Sequence, residues 1–214
     1  SNSAAQKALI KKDLRAFADE TAAESPAPGG GSISAYVGAL GVSLATMVAN
    51  LSSDKRGWDE RWEEFSDAAE RGQQLKDALL RAVDEDTDAF NAIMAAFGLP
   101  NGTPEEKSAR KAAVQAATRK AIEVPFKVMT LSLDSFSLIR QMAETGNPNS
   151  VTDAGVGALC ARAAVRGAFL NVKINASGLD DKDYAAQVVA DGEKMAKQAD
   201  EAEQRIMEIV ESKI

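Results

Sequence analysis

Hydrophobic residues recur every three or four positions along most of this 214-residue chain. That period is typical of amphipathic α-helices, which bury one face. Alternating runs of β-branched or aromatic residues, which would indicate strands, are nearly missing. The pattern therefore predicts an all-α protein. A first helix is expected to contain Leu9, Leu14 and Phe17 and to end near Glu24, and a second is expected to reach about Leu51.

Turn and capping residues divide the rest of the chain into long helices. A third helix is predicted over residues 58–97. The run Thr103-Pro104-Glu105-Glu106 predicts the start of a fourth, which should reach residue 145 with a kink at Pro125. Ser150 is expected to cap a fifth helix that reaches Asn175, and a sixth is predicted over residues 181–214. These long and short antiparallel helices should form one domain over residues 1–214.

Three consecutive glycines open the second predicted helix. At 100° per residue, its small residues lie along one side: Ser34, Ala35, Gly38, Val42, Ala45 and Ala49. Such a face gains little from burial itself, so it lets another backbone or a flat ligand approach closely. The glycine loop is then either a ligand site, with free amides backed by the helix dipole, or a tight turn beside closely packed helices.

Composition and charge limit the partners. The formal net charge is −7, which argues against binding of nucleic acid or of an anionic membrane surface. We expect no apolar run as long as the ~18 residues of a membrane span and no signal sequence, and therefore a cytoplasmic protein. The single cysteine, Cys160, is expected to be a buried small apolar group.

The chain contains no histidine. Ser-His and Cys-His catalysis are therefore impossible, and proton transfer must use carboxylates, Lys, Tyr or water. The acidic residues Asp84, Glu85, Asp86 and Asp88 suggest a metal site, but only Asp84 and Asp88 share a helix face, and no oxygen-rich loop accompanies them. We expect no required metal.

Several motifs occur together in this chain. The run Pro28-Gly29-Gly30-Gly31-Ser32, followed by Gly38-Ala39-Leu40-Gly41 and Met47-Val48, resembles the signature of the cyclodeaminase/cyclohydrolase family. Further matches follow in the family's order: Asp88-Ala89-Phe90, Leu99-Pro100 with Thr103-Pro104-Glu105-Glu106-Lys107, Val124-Pro125, Gly146-Asn147 with Asp153, and Gly167-Ala168-Phe169-Leu170-Asn171-Val172-Lys173-Ile174-Asn175. The resemblance implies a folate-dependent one-carbon enzyme whose substrate is a tetrahydrofolate derivative.

The resemblance leaves three functions open. Formimidoyltetrahydrofolate cyclodeaminase, which releases ammonia and forms 5,10-methenyltetrahydrofolate, comes first because the runs PAPGGGSISAYVGALG and VTDAGVGALCARAAV resemble cyclodeaminase domains of histidine degradation. Methenyltetrahydrofolate cyclohydrolase comes second, and a non-catalytic folate-binding or scaffold subunit third. The resemblance also implies a homodimer or higher homo-oligomer formed through a helical hairpin, and it allows a formimidoyltransferase domain or subunit as a partner.

Candidate site residues follow from the same motifs. Proton transfer is assigned to Asp88 and Asp153, which match motif positions, and to Asp54, near which some relatives carry a histidine. Folate is expected to bind at Gly29, Gly30, Gly31 and Ser32, and at Asn171 and Asn175, unless these two asparagines cap neighbouring helix ends instead. Asp153 lies ~27 Å along its helix from Asn171, so one small ring cannot touch both. The glutamate tail is assigned to Lys55, Arg56 and Lys107, each of which is, taken singly, more often an exposed solvated residue.

Overall fold

The computed structural model describes residues 8–214, and six α-helices account for most of them. They are α1 (Leu14–Ala22), α2 (Gly30–Ser53), α3 (Trp62–Phe97), α4 (Pro104–Thr145), α5 (Val151–Ala176) and α6 (Lys182–Glu211). Short 3-10 turns at Leu9–Lys11, Asp59–Arg61 and Pro148–Ser150 precede α1, α3 and α5. No strand occurs in residues 8–214, so the all-α prediction is confirmed. Residues 1–7 of the predicted domain lie outside the described residues.

Helix capping agrees with the sequence at α4 and differs at α5. The side chain of Thr103 accepts a hydrogen bond from the backbone N–H of Glu106 at 3.1 Å, as predicted. Ser150 is the N-cap residue of α5, as predicted, but its side chain is buried and makes no capping hydrogen bond. The chain enters α5 through a 3-10 turn, and Asn147 caps that turn instead by accepting from the N–H of Asn149 at 3.1 Å.

The first predicted helix is divided into two elements. The backbone N–H groups of Leu9 and Ile10 donate to the carboxylate of Asp84 at 2.8 and 3.2 Å, which holds the 3-10 turn against α3. Asp13 then caps a new helix by accepting from the N–H of Ala16 at 2.7 Å. The continuous helix expected from Leu9 onwards is therefore wrong, and α1 begins only after this cap.

The central helix α2 packs against α3, α4 and α5. A Cβ atom added at Gly41 would lie 2.9 Å from Cβ of Cys160, and one added at Gly38 would lie 2.7 Å from Oγ of Ser132. Neither position has room for a side chain, so the small residues in the middle of α2 serve close helix packing. Cys160 is half-buried at this contact rather than buried as expected, and partial burial raises the pKa of its thiol.

The sequence expectation that no segment resembles a membrane span is wrong for α2. Within residues 8–214, α2 is the one helix that is long and apolar enough by composition to cross a membrane. The helix contains no charged residue and is rich in Ala, Val and Leu, so its mean hydropathy reaches 1.6 over the most apolar window. Most of that window is buried among the other helices, as is typical of a core helix.

The two longest helices, α3 and α4, form an antiparallel hairpin. Lys127 of α4 pairs with Glu85 of α3, and Nε of Arg110 donates to the carbonyl oxygen of Phe97 at 2.9 Å near the tip. The hairpin continues beyond the first residue of α2, where Phe90 and Phe97 are exposed. One end of the hairpin therefore carries uncovered apolar side chains.

Helix α6 lies along α4 and α5. Its Asp200 accepts hydrogen bonds from both Arg166 and Arg162 of α5, the latter at 2.8 Å from Nε. The pKa of Asp200 is lowered to about 2, and the hydrogen bond from Arg166 is the main cause. This ion-pair cluster joins the outer faces of α5 and α6.

Candidate functional site

The glycine-rich start of α2 lies against a carboxylate of α3. A Cβ atom added at Gly31 would lie 2.2 Å from Oδ1 and 2.5 Å from Oδ2 of Asp86, so only glycine leaves room for this carboxylate. The hydroxyl of Ser32 donates to the carbonyl oxygen of Val83 at 2.7 Å and lies 3.5 Å from Oδ2 of Asp86. The carboxylate is thus fixed at the N-terminal end of α2.

Asp86 is half-buried, and this partial burial sets the direction of its pKa shift. The pKa of Asp86 is raised above 3.8, because desolvation by burial outweighs the hydrogen bonds from the side chain and the backbone of Ser32, which lower it. The N–H groups in the first turn of a helix have no intrahelical partners, and that of Ser32 bonds to this carboxylate. A carboxyl that holds its proton more tightly than usual therefore lies at the first turn of α2.

Helix α5 brings a carboxamide to the same place. Nδ2 of Asn171 lies 3.7 Å from the position that a Cβ on Gly30 would take, and it donates to the carbonyl oxygen of Gly167 at 3.2 Å. Gly167 itself lets α5 approach, since a Cβ there would lie 2.4 Å from Oγ of Ser34. We call residues 29–32 together with Asp86 and Asn171 the glycine-start cluster.

The glycine-start cluster combines chemical groups that suit proton transfer. It offers backbone donors at Gly30 and Gly31, a carboxamide, and a carboxyl with a raised pKa. A carboxyl of this kind can take a proton from water and return it to a leaving nitrogen, provided that it lies within hydrogen-bond reach of the reacting atoms. The cluster joins α2, α3 and α5, three helices that are separated in sequence.

Asn175, one turn further along α5, has a structural partner. Its Nδ2 donates to the carbonyl oxygen of Ala121 at 3.1 Å. Pro125, four residues after Ala121 in α4, has no N–H, so this carbonyl lacks its usual intrahelical donor. The side chain of Asn175 therefore fills a gap that the proline leaves in α4.

The other predicted carboxylates lie away from the glycine-start cluster. Asp88 is exposed and lines a groove with Ile10 and Asp84, and at 100° per residue it lies about 160° around α3 from Asp86. Asp153 is half-buried in the first turn of α5, about 27 Å along that helix from Asn171. Asp54 follows the last residue of α2, about 36 Å from its start.

The predicted cations are also separated. Lys55 and Arg56 follow Asp54 at the far end of α2, where Nζ of Lys55 lies 4.8 Å from the centre of the Trp58 ring. Lys107 lies near the tip of the hairpin and lines a cavity beside Phe97. Of the residues predicted from sequence, the structure therefore brings together residues 29–32 and Asn171 only.

Asp86 was considered from the sequence only as part of an acidic run. A signal was nevertheless present, because Asp86 lies about 20° around α3 from Leu79, a fully buried residue, and about 60° from Val83, which is also buried. An acid on an otherwise buried helix face needs a partner or a function. In residues 8–214, no three Cys, Asp or Glu side chains converge in a way that could hold a metal ion.

Comparisons with known proteins all point to cyclodeaminases and cyclohydrolases. The protein-family model for formiminotransferase-cyclodeaminase matches residues 13–208. The chain is 38% identical over 201 residues to a methenyltetrahydrofolate cyclohydrolase from Methylorubrum extorquens. The aligned residues make up 94% of this chain and 97% of that protein. The chain is 31% identical over 207 residues to the formimidoyltransferase-cyclodeaminase of Gallus gallus, covering 97% of this chain and 38% of that protein.

A solved structure has the same fold. A formiminotetrahydrofolate cyclodeaminase from Thermotoga maritima superposes with a TM-score of 0.83 at 26% identity, covering 94% of this chain and 97% of that one. The formimidoyltransferase-cyclodeaminase of Rattus norvegicus is 34% identical over 180 residues, 84% of this chain and 33% of that protein. The chain thus spans between 33% and 38% of the length of these two animal proteins.

Proposed function

Because the chain belongs to the formiminotransferase-cyclodeaminase family, we propose that it is a methenyltetrahydrofolate cyclohydrolase whose reaction takes place at the glycine-start cluster. The observation that carries the proposal is the Asp86 carboxyl, held at Gly31 with a raised pKa. The sequence placed cyclodeaminase first. The order is reversed here because a relative of nearly the same length, 38% identical, is named a cyclohydrolase.

The reaction adds water to the methenyl carbon of 5,10-methenyltetrahydrofolate. As the new C–O bond forms, ionised Asp86 takes one proton from the water, and a neutral tetrahedral adduct results. Asp86 then returns this proton to N5 as the C–N5 bond breaks, and the adduct's hydroxyl loses its proton to solvent as the formyl group forms on N10. Water is consumed, one proton is released, and 10-formyltetrahydrofolate remains.

The charge of the substrate suits this role. The methenyl bridge carries a positive charge, and a nearby cation favours the ionised form of a carboxyl. Binding would therefore lower the pKa of Asp86, so that a group that is held with a raised pKa in the free protein becomes a base when substrate is present. The carboxamide of Asn171 and the free N–H groups of Gly30 and Gly31 would orient the pterin and the hydroxyl of the adduct.

A second function has its own support. The solved structure from Thermotoga maritima is described as a formiminotetrahydrofolate cyclodeaminase. Cyclodeamination passes through a similar tetrahedral carbon, with ammonia as the leaving group in place of N5. The third hypothesis, a non-catalytic subunit, is not retained because the relatives are named as enzymes. A formimidoyltransferase domain or subunit as a partner stays a prediction.

Two absorbance assays on the purified chain separate the reactions. Cyclohydrolase activity removes the absorbance of 5,10-methenyltetrahydrofolate, whereas cyclodeaminase activity on 5-formimidoyltetrahydrofolate increases it and releases ammonia. We expect the first signal. The second signal alone would restore the cyclodeaminase assignment, and neither signal, with both folates shown to be intact, would contradict an enzyme of this class.

We also propose that the chain forms a homodimer, and we place its interface on the outer faces of α2 and α5 rather than on the helical hairpin that the family resemblance implied. Apolar residues follow a four-three spacing along α2, which is typical of a helix seam: Ile33, Val37, Leu40, Leu44, Met47 and Leu51. Leu40 and Leu51 are 45% and 46% exposed, and Leu170 and Ile174 of α5 are 64% and 67% exposed. Exposed apolar residues in such a row are typical of an interface.

The oligomeric state can be measured by sedimentation at micromolar concentration. We expect a dimer for the wild-type chain and a monomer for a variant with Leu40→Glu and Leu51→Glu. Leu14→Glu is the matched control, since Leu14 is 77% exposed on α1, outside the row. A monomeric wild-type chain would refute the proposal, and so would a double variant that remains a dimer.

A further inference from the structure

The groove between α4 and α6 lies away from both the glycine-start cluster and the proposed dimer face. The two helices run side by side in the same direction. Nη1 of Arg119 lies 3.6 Å from Oδ2 of Asp181 near one end, and Nζ of Lys213 donates to the carbonyl oxygen of Ala143 at 2.7 Å near the other. Between these contacts the groove opens into a cavity of about 450 Å³, which we call the α4–α6 pocket.

The floor of the α4–α6 pocket is apolar. Phe136 of α4 and Ile206 of α6 are buried there, and Leu133 and Ala202 beside them are half-buried. Such a floor can take the apolar or planar part of a small molecule, and a few polar groups around it then select the class of ligand. The charged side chains that line the pocket therefore decide what it binds.

Two arginines from different helices line the α4–α6 pocket, Arg140 of α4 and Arg205 of α6. Nε of Arg140 donates to Glu144 at 2.7 Å, and its two Nη groups make no hydrogen bond with residues 8–214. Arg205 has no ion pair in the same part of the chain, although Glu201 precedes it by four residues, the spacing at which helical ion pairs form. Free guanidinium donors of both helices are thus available to a ligand.

The local charge of the pocket is opposite in sign to that of the protein. Glu201 is the one acid among the lining residues, so two arginines and one glutamate give them a charge of +1, whereas the whole chain carries −7. The neutral polar side chains of Ser137 and Gln198 complete the lining. This combination favours an anion with an apolar body.

We propose that the α4–α6 pocket binds a small organic phosphate, with its phosphate group on the two guanidinium groups and its apolar or aromatic body on the floor. Arginine binds phosphate oxygens through paired N–H donors. A phosphate monoester carries about two negative charges and three acceptor oxygens, enough for both guanidinium groups, whereas a carboxylate has one charge and two oxygens. The proposal does not depend on the folate chemistry, because the pocket shares no residue with the glycine-start cluster.

Calorimetry on the full chain tests the proposal with four probes: phenyl phosphate, benzoate, inorganic phosphate and phenol. Phenyl phosphate should bind with a Kd of about 1 mM or tighter. Benzoate lacks the second charge and inorganic phosphate lacks the apolar body, so each should bind about fivefold more weakly or less. Phenol, which has no charge for the arginines, should show no measurable binding.

Single substitutions assign the binding to the pocket. Arg140→Gln and Arg205→Gln should each weaken binding of phenyl phosphate about tenfold, because each removes charge-assisted hydrogen bonds. Glu201→Gln should strengthen it about twofold, because it removes the one acid from the lining. Arg15→Gln is the matched control, since Arg15 is exposed on α1 and its loss changes the net charge by the same amount. The three lining positions are exposed as well, so each variant should keep its fold.

Four results would each overturn the proposal. They are no binding of phenyl phosphate, wild-type affinity in both arginine variants, an equal loss of affinity in Arg15→Gln, and binding of benzoate at least as tight as that of phenyl phosphate. Displacement of phenyl phosphate by tetrahydrofolate would also overturn it, because the phosphate would then occupy the folate site.

Discussion

The contact between Gly31 and Asp86 predicts the effect of a single methyl group. In Gly31→Ala, the new Cβ would lie 2.2 Å from Oδ1 and 2.5 Å from Cγ of Asp86, well inside van der Waals contact. Overpacking of this kind costs ~1–3 kcal/mol. Replacing glycine by alanine inside a helix would otherwise gain up to about 1 kcal/mol. Subtracting this gain from the middle of the cost, we expect a net loss of about 1 kcal/mol in the free energy of unfolding.

Denaturant unfolding measures this loss, and two further variants assign its cause. Gly30→Ala is the matched control, since a Cβ there meets Nδ2 of Asn171 at 3.7 Å, an ordinary contact, and should cost little. In an Asp86→Ala background the clash is gone, so Gly31→Ala should no longer destabilise the fold. If Gly31→Ala is as stable as the wild-type chain, or costs the same without the carboxylate, the described contact is wrong.

Three further predictions concern charge and hydrogen bonding. Because the pKa of Asp86 is raised, its ionised form destabilises the fold, and Asp86→Asn should increase the thermal midpoint at pH 7. This gain should shrink as the pH falls towards 3.8, where the wild-type carboxyl becomes protonated. An equal gain at all pH values would contradict the burial argument. Asp200, with a pKa of about 2, should contribute stability that is present above pH 3.8 and lost as the pH falls through 2. Thermal midpoints of Asp200→Asn and of the wild-type chain should therefore differ at pH 6 and coincide below pH 2. A difference that persists below pH 2 would argue against the ion pairs. Asn175→Ala should lower the free energy of unfolding by about 1 kcal/mol, because it leaves the carbonyl of Ala121 unpaired. In a Pro125→Ala background, which restores the missing N–H, denaturant unfolding should show little loss from Asn175→Ala. An undiminished loss would assign the effect to another contact.

Local signals in the sequence account for most of the fold. The start of α4 was predicted correctly because the hydroxyl of Thr103, the ring of Pro104 and the N–H of Glu106 act within one helical turn. The break before α1 was not predicted, because the 3-10 turn at Leu9 is held by Asp84, which is distant in sequence. Elements set by neighbouring residues could be predicted, whereas those set by tertiary contacts could not.

The candidate site divides in the same way. The glycines at residues 29–31 and Asn171 were proposed from the sequence because they stand in motifs that resemble those of the family. Asp86 was missed because it stands in a run of acids, and its burial depends on where α2 begins above α3. The partner of Asn175 also depends on tertiary structure, since it requires α5 to pass the carbonyl that Pro125 leaves free in α4. Which acid of a run faces inward is decided by packing between helices.

The central claim is that Asp86 transfers the proton in one-carbon folate chemistry. The most direct measurement is the turnover of 5,10-methenyltetrahydrofolate by Asp86→Asn and by Asp88→Asn, with folate binding of each variant followed by calorimetry. The account predicts that Asp86→Asn binds folate and loses about 100-fold or more in kcat, the range for a lost general acid or base, while Asp88→Asn keeps its turnover. Full turnover by Asp86→Asn, or a loss confined to Asp88→Asn, would contradict it.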